Sequence, residues 1–580
     1  MAKDWVEVAR EGELEGDGPW AVSARGGDLV LVRAGGELRA FDGVCPHQGA
    51  LLGEGELREG RLVCRNHGWR FSAESGQREG GPECLAAFPV RVRDGRVSVD
   101  VGARRVEVGA SGGRRWHELP GPVGVPGFGS ALWLRRAELH EQLERWAATW
   151  GPYCGFKVGG TPVFLVSDAA LATEALRARP RDFRRLGKID AVFRELGIQS
   201  VFTAEGDAWR RQRRLVMGAL SRPRLAGFFP VFREVAGRLL AQWQGKAARG
   251  EVVEVQEDVL RFTADVISSL AFGRDVNTLE GGEDGLQEQI GVVLQGLSRR
   301  VGAVVPTWRV VSLPRDRALR RALEALRAWM SGVVDEVRRG VAAEPGRAPR
   351  NFLEAMLAAT DDEGRPFEES VVLGNALTLL FAGEGLTGNT LAWAIHELCD
   401  APEAVARLRE EVDRELGEQP FAQEIAGLEG LRYADAVTRE AMRLRPVAPF
   451  VALEAIRDTG LGGLDVRAGE VLLCLLRGPG TREEVTAQPE RFWPERWLEG
   501  EPEALARLEA AHLPFGSGPR ICPGQALAFL ETRTVLSLLY RNFEVERVGA
   551  AEDVRGRFRF AAVEPFGLRV RLRARVPAGT

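Results

Sequence analysis

The sequence predicts two domains of different class: a small all-β domain of antiparallel sheets over residues 1–101, then a mainly α domain with small β-sheets over residues 118–580, joined by a linker at 102–117. Three observations lead there. The chain has 580 residues, more than one hydrophobic core usually supports. Its apolar pattern changes partway along from alternation to helical spacing. Between the two patterns lies a stretch of weak periodicity rich in Gly, Pro and Arg, GASGGRRWHELPGPVGVPGFG.

The first pattern consists of short β-type runs: DLVLVRAGGELRAFDG, RLVCRNHGWRF and FPVRVRDGRVSVDV. Gly-Gly, Asp-Gly and Glu-Gly dipeptides break them about every ten residues, the signature of hairpins. The second pattern carries apolar residues at helical spacing in AELHEQLERWAATW, DAWRRQRRLVMGAL, LQEQIGVVLQGLSRRV, RALRRALEALRAWMSGVVDEVRRG, APEAVARLREEVDREL and GQALAFLETRTVLSLLY. Short strand-like pieces, PVFLVS and LRVRLRAR, interrupt them. There is no internal repeat.

Composition excludes several classes. A net charge of -4 without a long charge run gives no support for nucleic acid as a partner. Seven scattered cysteines do not form a disulfide framework and argue for a reducing compartment. The start, MAKDWVEVAREGELEGDGPW, lacks the apolar core of a signal peptide, and no apolar run reaches the length of a membrane span. The expectation is a soluble cytoplasmic protein.

The β-half holds Cys45-Pro-His47, then sixteen residues, then Cys64-Arg-Asn-His67. Two cysteines and two histidines suit a structural zinc site as well as other metals. With Gly49 and Gly68 behind the two motifs, and PHQGALL and HGWRF around them, the stretch resembles the Rieske iron-sulfur domain. That resemblance implies a [2Fe-2S] cluster with Cys45 and Cys64 on one iron and His47 and His67 on the other. Family members of the respiratory complexes add a disulfide between the ligand loops, at positions held here by Ala50 and Trp69. The implied cluster is therefore of the lower-potential, electron-carrier kind, and Cys84 is a structural thiol.

Near the other end stands LPFGSGPRICPGQALAFLE. The spacing Phe515-Gly-x-Gly518-x-Arg520-x-Cys522-x-Gly524 resembles the haem-thiolate signature of cytochromes P450. Glycines let backbone N–H groups approach the sulfur, the following helix offers a positive dipole end, and Arg520 reaches a propionate. Three further stretches match. Glu440-Ala-Met-Arg443, with Arg496 in FWPERW, resembles the family's structural Glu-x-x-Arg set. Trp209-Arg-Arg-Gln-Arg213 resembles its propionate-binding Trp-x-x-x-Arg. LLFAGEGLTGNT, Leu379 to Thr390, falls where the long central helix crosses the distal side of haem b, with Gly383 in the cofactor groove. The implied architecture is a Rieske domain followed by a P450 fold. Of the remaining histidines, His117, His140, His396 and His512, none pairs into a second metal site.

In the central stretch the family pattern Ala-Gly-x-acid-Thr-Thr meets Ala382-Gly383-Glu384-Gly385-Leu386-Thr387. The glycines suggest a local bulge, but Gly385 and Leu386 occupy the acid and alcohol positions that relay protons during oxygen activation. Three readings compete. A re-registered bulge lets Glu384 and Thr387 serve as the relay; the substrate supplies a hydroxyl or carboxylate; or the reaction uses peroxide or an oxygenated substrate, as in a peroxygenase, isomerase or dehydratase. A redox or gas sensor is a third class, without any output module in the sequence.

The resemblance thus implies a monooxygenase that takes O2 and a small apolar organic substrate, its electrons passing from the Rieske cluster to the haem. No glycine-rich NAD or FAD fingerprint follows a strand, so a separate NAD(P)H-dependent flavoprotein reductase is expected. Residues 1–104 carry 14 basic and 17 acidic side chains. Arg210, Arg211 and Arg214 are candidates for a basic face that receives this domain. The pocket is expected at Leu380, Ala382 and Gly383, at Val447 to Val451 and at Ala561 to Phe566.

Overall fold

A computed structural model describes residues 5–575, apart from 15, 25–26, 46–50, 66–67, 80–83, 102–112, 282–283, 304, 345, 362–363 and 560–561. The first domain is built of antiparallel hairpins, as its turn dipeptides predict. One sheet has the strand order Trp20–Ala24, Gly27–Ala34, Glu37–Asp42, Ala87–Phe88. A second orders Trp5–Arg10, Arg96–Asp100, Val90–Arg93, and a third Glu56–Arg58, Arg61–Val63, Arg70–Ser72. Gly35-Gly36, Glu59-Gly60 and Asp94-Gly95 all have positive φ at both residues, which matches the turn twist to that of the strands. The strand Gly27–Ala34 is buried on both faces: Val30 and Val32 meet Cys45, Leu62, Cys64 and Phe71, whereas Leu29 and Leu31 meet Ala40, Phe88, Val97 and Val99.

All six predicted helices form in the second domain. They span Leu139–Trp150, Gly206–Ala219, Asp284–Gly302, Pro314–Ala343, Pro402–Leu416 and Gln525–Asn542. The two strand-like pieces become Thr161–Val166 and Arg569–Ala574. A five-stranded sheet in the order Tyr153–Val158, Thr161–Val166, Val471–Leu475, Phe450–Ala455, Phe183–Arg185 flanks the helices. Residues 113–117, expected in the linker, instead adhere to the second domain: the Arg114 amide donates to Gly463 at 2.8 Å, and Arg115 pairs with Glu470 at 2.7 Å.

The core of this domain is the helix Glu369–Leu398, which packs along its length on Val255–Phe272. By length and composition alone this helix passes for a membrane span. The expectation of no such run overlooks this helix because Gly, Ala and Thr dilute the apolar residues, while Glu384 is the only charged residue between Val371 and Ile395. Here the helix is the buried centre of the fold, and Asn375 pins it in place. Asn375 accepts from the Val201 amide at 2.8 Å and donates to Gln212 on the Gly206–Ala219 helix at 3.0 Å.

The expected bulge is absent: the helix is α-helical from Glu369 to Leu398. Two of the three glycines serve helix packing instead. A Cβ at Gly383 would lie 2.8 Å from Ile267, and one at Gly388 2.9 Å from Leu260, both on the Val255–Phe272 helix. Gly383, expected to line the cofactor groove, therefore lacks a side chain because its neighbour needs the space. Only Gly385 faces open space, where a Cβ would touch nothing within 4 Å.

Candidate active site

The Glu-x-x-Arg set assembles as expected, in full burial. Glu440 sits on the helix Arg432–Leu444 one turn before Arg443, so both side chains share a face. Arg443 donates to Glu440 through Nε at 2.8 Å and Nη2 at 2.7 Å; Arg496 donates through Nε at 3.0 Å. The Trp493 amide and the Trp497 indole complete the carboxylate at 2.9 Å each. Arg443 and Arg496 then tie down the loop before the cysteine by donating to the carbonyls of Gly480, Ala487 and Gln488.

That loop delivers Cys522. Gly516 and Gly518 turn it with positive φ, and the approach to Arg177 leaves no room for a Cβ at Gly518. The Cys522 amide donates to the Phe515 carbonyl at 3.0 Å, which closes the loop, and Phe515 leans on Phe529. The helix Gln525–Asn542 starts directly behind the sulfur. Burial pushes the Cys522 thiol up, while the Gly524 backbone and the Arg213 charge pull it down. Both opposing influences favour a thiolate, as a metal ligand requires.

Around this loop lies a cluster of guanidinium groups. Arg520 stacks on the Trp209 ring at 4.2 Å, donates to the Ala204 carbonyl at 2.8 Å and pairs with Glu205. Burial lowers Arg520 to about 9 and Arg213 to about 10. Arg179 and Arg185, which sequence reasoning missed, join them. Arg179 is 3% exposed and keeps Nε and Nη2 without hydrogen-bond partners, and Arg185 donates to the Phe202 carbonyl. Among the described residues Arg179, Arg185 and Arg520 gather about Glu205, with Arg213 nearby facing Cys522, and this set is short of negative charge, which two haem propionates would supply. The donor set thus fits haem, with Cys522 to supply the thiolate and Trp209, Arg213, Arg520, Arg179 and Arg185 grouped near its loop.

The central helix, which the family pattern would set over the haem, shows a divided face. Ala382 is exposed although it lies midway along a buried helix, and Gly385 opens onto the same side. Leu386, one turn from Ala382, shares that face. Glu384 and Thr387 point elsewhere, since each residue turns the helix by about 100°. The Glu384 carbonyl accepts from Thr263 on the packed helix at 2.6 Å, and its buried Oε2 has no partner. Burial raises the Glu384 carboxyl to about 7. Thr387 turns toward Glu531 on the helix that follows Cys522, a buried acid raised to about 8 by burial. Glu531 was also missed, and only its burial marks it. Val447 is near the expected pocket hairpin, for its carbonyl accepts from the Val563 amide at 2.7 Å, whereas Ala561 lies outside the described residues.

In the first domain Cys45 and Cys64 are buried, 1% and 2% exposed, in one apolar cluster. The Cys64 amide donates to Trp69, and its carbonyl accepts from Gly68 at 2.9 Å, which folds the second loop on itself. Two buried thiols in one apolar cluster fit the cysteine half of a [2Fe-2S] site. His47 and His67 lie outside the described residues. Cys84 is exposed and its thiol donates to the Ser75 carbonyl, a structural contact.

Residues 119–560 match the family model of the cytochrome P450, and residues 4–90 match that of the Rieske [2Fe-2S] domain. The chain is 26% identical over 425 residues to Protein LUTEIN DEFICIENT 5, chloroplastic, of Arabidopsis thaliana, covering 70% of this chain and 69% of that protein. It is 27% identical to Cyclooctat-9-en-7-ol 5-monooxygenase of Streptomyces melanosporofaciens, covering 74% and 89%. Thromboxane-A synthase of Rattus norvegicus is 26% identical, with 72% and 84% covered. The chain belongs to the cytochrome P450 family, as an oxidoreductase that pairs a haem domain with a Rieske [2Fe-2S] domain.

Proposed function

We propose that the protein inserts one oxygen atom of O2 into a small apolar organic substrate, with electrons passed one at a time from its own Rieske cluster to the haem and supplied by a separate NAD(P)H-dependent flavoprotein. The observation that carries this reading is the presence of both metal sites in one chain, since a tethered carrier meets its acceptor at an effective concentration on the order of millimolar. The haem activates oxygen when bound; the chain's own residues position, exclude water and move protons. Arg179, Arg185, Arg213 and Arg520 would hold the propionate edge, and Cys522 would hold the iron. Glu384 and Thr387 lie off the face of Gly385, so we assign them the proton source only by way of a polar group of the substrate that bridges from Gly385 to them. A relative named for the alcohol cyclooctat-9-en-7-ol supports a hydroxylated substrate.

A second reading, peroxide-driven or redox-neutral haem-thiolate chemistry, is favoured by one observation: the face carrying Ala382, Gly385 and Leu386 presents neither acid nor alcohol. One experiment separates the two. The cluster is reduced with NADH and a catalytic amount of flavoprotein reductase under carbon monoxide, and the ferrous haem-CO band is followed at several protein concentrations. Haem reduction at a rate independent of protein concentration is expected. A reduced cluster beside a haem that stays ferric, with and without candidate substrates, would sink the electron-driven reading.

A further inference from the structure

The two domains meet at a specific ion pair. Arg210, in the first turns of the Gly206–Ala219 helix, places Nε 3.2 Å from Oδ1 of Asp28, at the start of the strand Gly27–Ala34 in the Rieske domain. Both side chains are largely buried, at 16% and 15% exposure. Each sits close to its own metal site. The Asp28 carbonyl accepts from the Gly43 amide at 2.9 Å, two residues before Cys45, and a Cβ on Gly43 would clash with the Leu29 backbone at 2.7 Å. The segment that leads from the strand Glu37–Asp42 into Cys45 is therefore seated directly on Asp28. On the other side Arg210 follows Trp209, on which Arg520 stacks, and lies one turn before Arg213.

Three features make the contact reversible. No strand of the Rieske domain packs broadly against an element of the haem domain among the described residues. The seam holds a cavity of about 560 Å³ lined by Ser23 on one side and Arg184, Glu205, Asp207 and Arg210 on the other, so it is not a close-packed interface. Arg210 also pairs with Asp207 in its own domain, three residues earlier on the helix. When the domains part, Arg210 keeps a partner and Asp28 regains water. The large cost of stranding a buried charge is thereby avoided.

We propose that Asp28 and Arg210 form the latch of a reversible docking, which sets the Rieske domain against the haem domain for electron transfer and lets it leave again. A single cluster has to meet two partners in turn, its reductant and the haem, and a small electrostatic contact with a stand-in partner for Arg210 suits that cycle. This inference rests on the electron route proposed above. It sharpens the basic-face expectation to one residue, Arg210.

The test uses the full haem- and cluster-loaded chain with Asp28→Asn, Arg210→Gln and the double variant. Two quantities are read: the rate of haem reduction by the pre-reduced cluster, and the radius of gyration from solution scattering, at low and high salt. Each single variant is expected to slow transfer about tenfold and to expand the molecule. The double variant should be no worse than either single one, because the two residues act as one pair. High salt should expand the wild type toward the dimensions of the variants, as screening of a seam charge pair requires. Additive effects, or wild-type rate and dimensions in Asp28→Asn, overturn the latch. If the wild type itself never passes an electron to the haem, the electron route fails, yet scattering still decides whether Asp28 holds the domains together. An unshifted haem-CO band in Arg210→Gln excludes misfolding as the cause.

Discussion

Glu440 and Glu531 are both buried acids of the haem domain, 0% and 1% exposed, and they are treated in opposite ways. Glu440 receives donors from Arg443, Arg496, Trp493 and Trp497. Glu531 has no hydrogen-bond partner of good geometry at either oxygen, and Glu384 has none at Oε2. A carboxylate met by a full set of donors is a structural anchor. One buried without them keeps its proton, which is the condition a proton donor beside a reactive site has to meet. The difference separates what holds this fold from what is available for chemistry.

The largest effect is expected from breaking the anchored case. Glu440→Ala leaves two arginines buried without their carboxylate and frees the loop that delivers Cys522. A loss of about 3–5 kcal/mol, typical for removing one partner of a buried pair, should appear in chemical unfolding together with a reduced haem content. A variant as stable as wild type would show that the knot is dispensable.

The unpartnered acids answer in pH. A carboxyl raised in the folded state binds its proton more tightly there than in the unfolded chain, so stability falls as pH rises from the ordinary value of 4.5 to the folded one, and levels off above it. The window ends at about 7 for Glu384 and about 8 for Glu531. Glu384→Gln and Glu531→Gln should each gain on wild type through that window, by something on the order of 3 kcal/mol at its upper end. Unfolding titrations at pH 5 and pH 8.5 measure the gap; a gap that does not widen with pH means the acid is already ionised.

Much of this architecture is legible in the sequence because each piece is fixed by local chemistry. The positive-φ hairpin turns announce themselves as Gly-Gly, Glu-Gly and Asp-Gly, and the Glu440–Arg443 spacing places both groups on one helix face. The cysteine loop is legible for the same reason, since glycines, arginine and cysteine recur within ten residues. What was not legible depends on tertiary placement. Arg179 and Arg185 are single arginines in unremarkable segments, made significant only by folding against Arg520. Glu531 looks like any acid on an amphipathic helix until its burial is seen. The glycines of the central helix misled in the other direction, since packing against Ile267 and Leu260 accounts for two of them without any bulge.

The bare distal face offers a gain-of-function test. A Cβ at Gly385 has open space in front of it, so Gly385→Asp with Leu386→Thr would place an acid and an alcohol on this face. With a substrate that lacks a hydroxyl, the double variant should release less peroxide per NADH consumed, by at least a few-fold, well within the roughly 100-fold or more that one positioned acid contributes. Unchanged coupling would argue that protons already arrive through Glu384 and Thr387 and that the substrate plays no part.

The smallest effect discriminates most finely. Glycine within a helix costs about 1 kcal/mol against alanine, so Gly385→Ala should stabilise the protein by about that amount, as its Cβ meets nothing. Gly383→Ala gains the same propensity but drives a Cβ to 2.8 Å from Ile267, and overpacking of that kind costs about 1–3 kcal/mol, so the net change should be a loss. Chemical unfolding of the two haem-loaded variants measures both. Opposite signs would establish that the space at Gly385 serves no packing purpose, which leaves a ligand on the distal face as the reason to keep it. Equal losses would mean that the helix pair needs both glycines, and the case for a substrate group over Gly385 would then rest on chemistry alone.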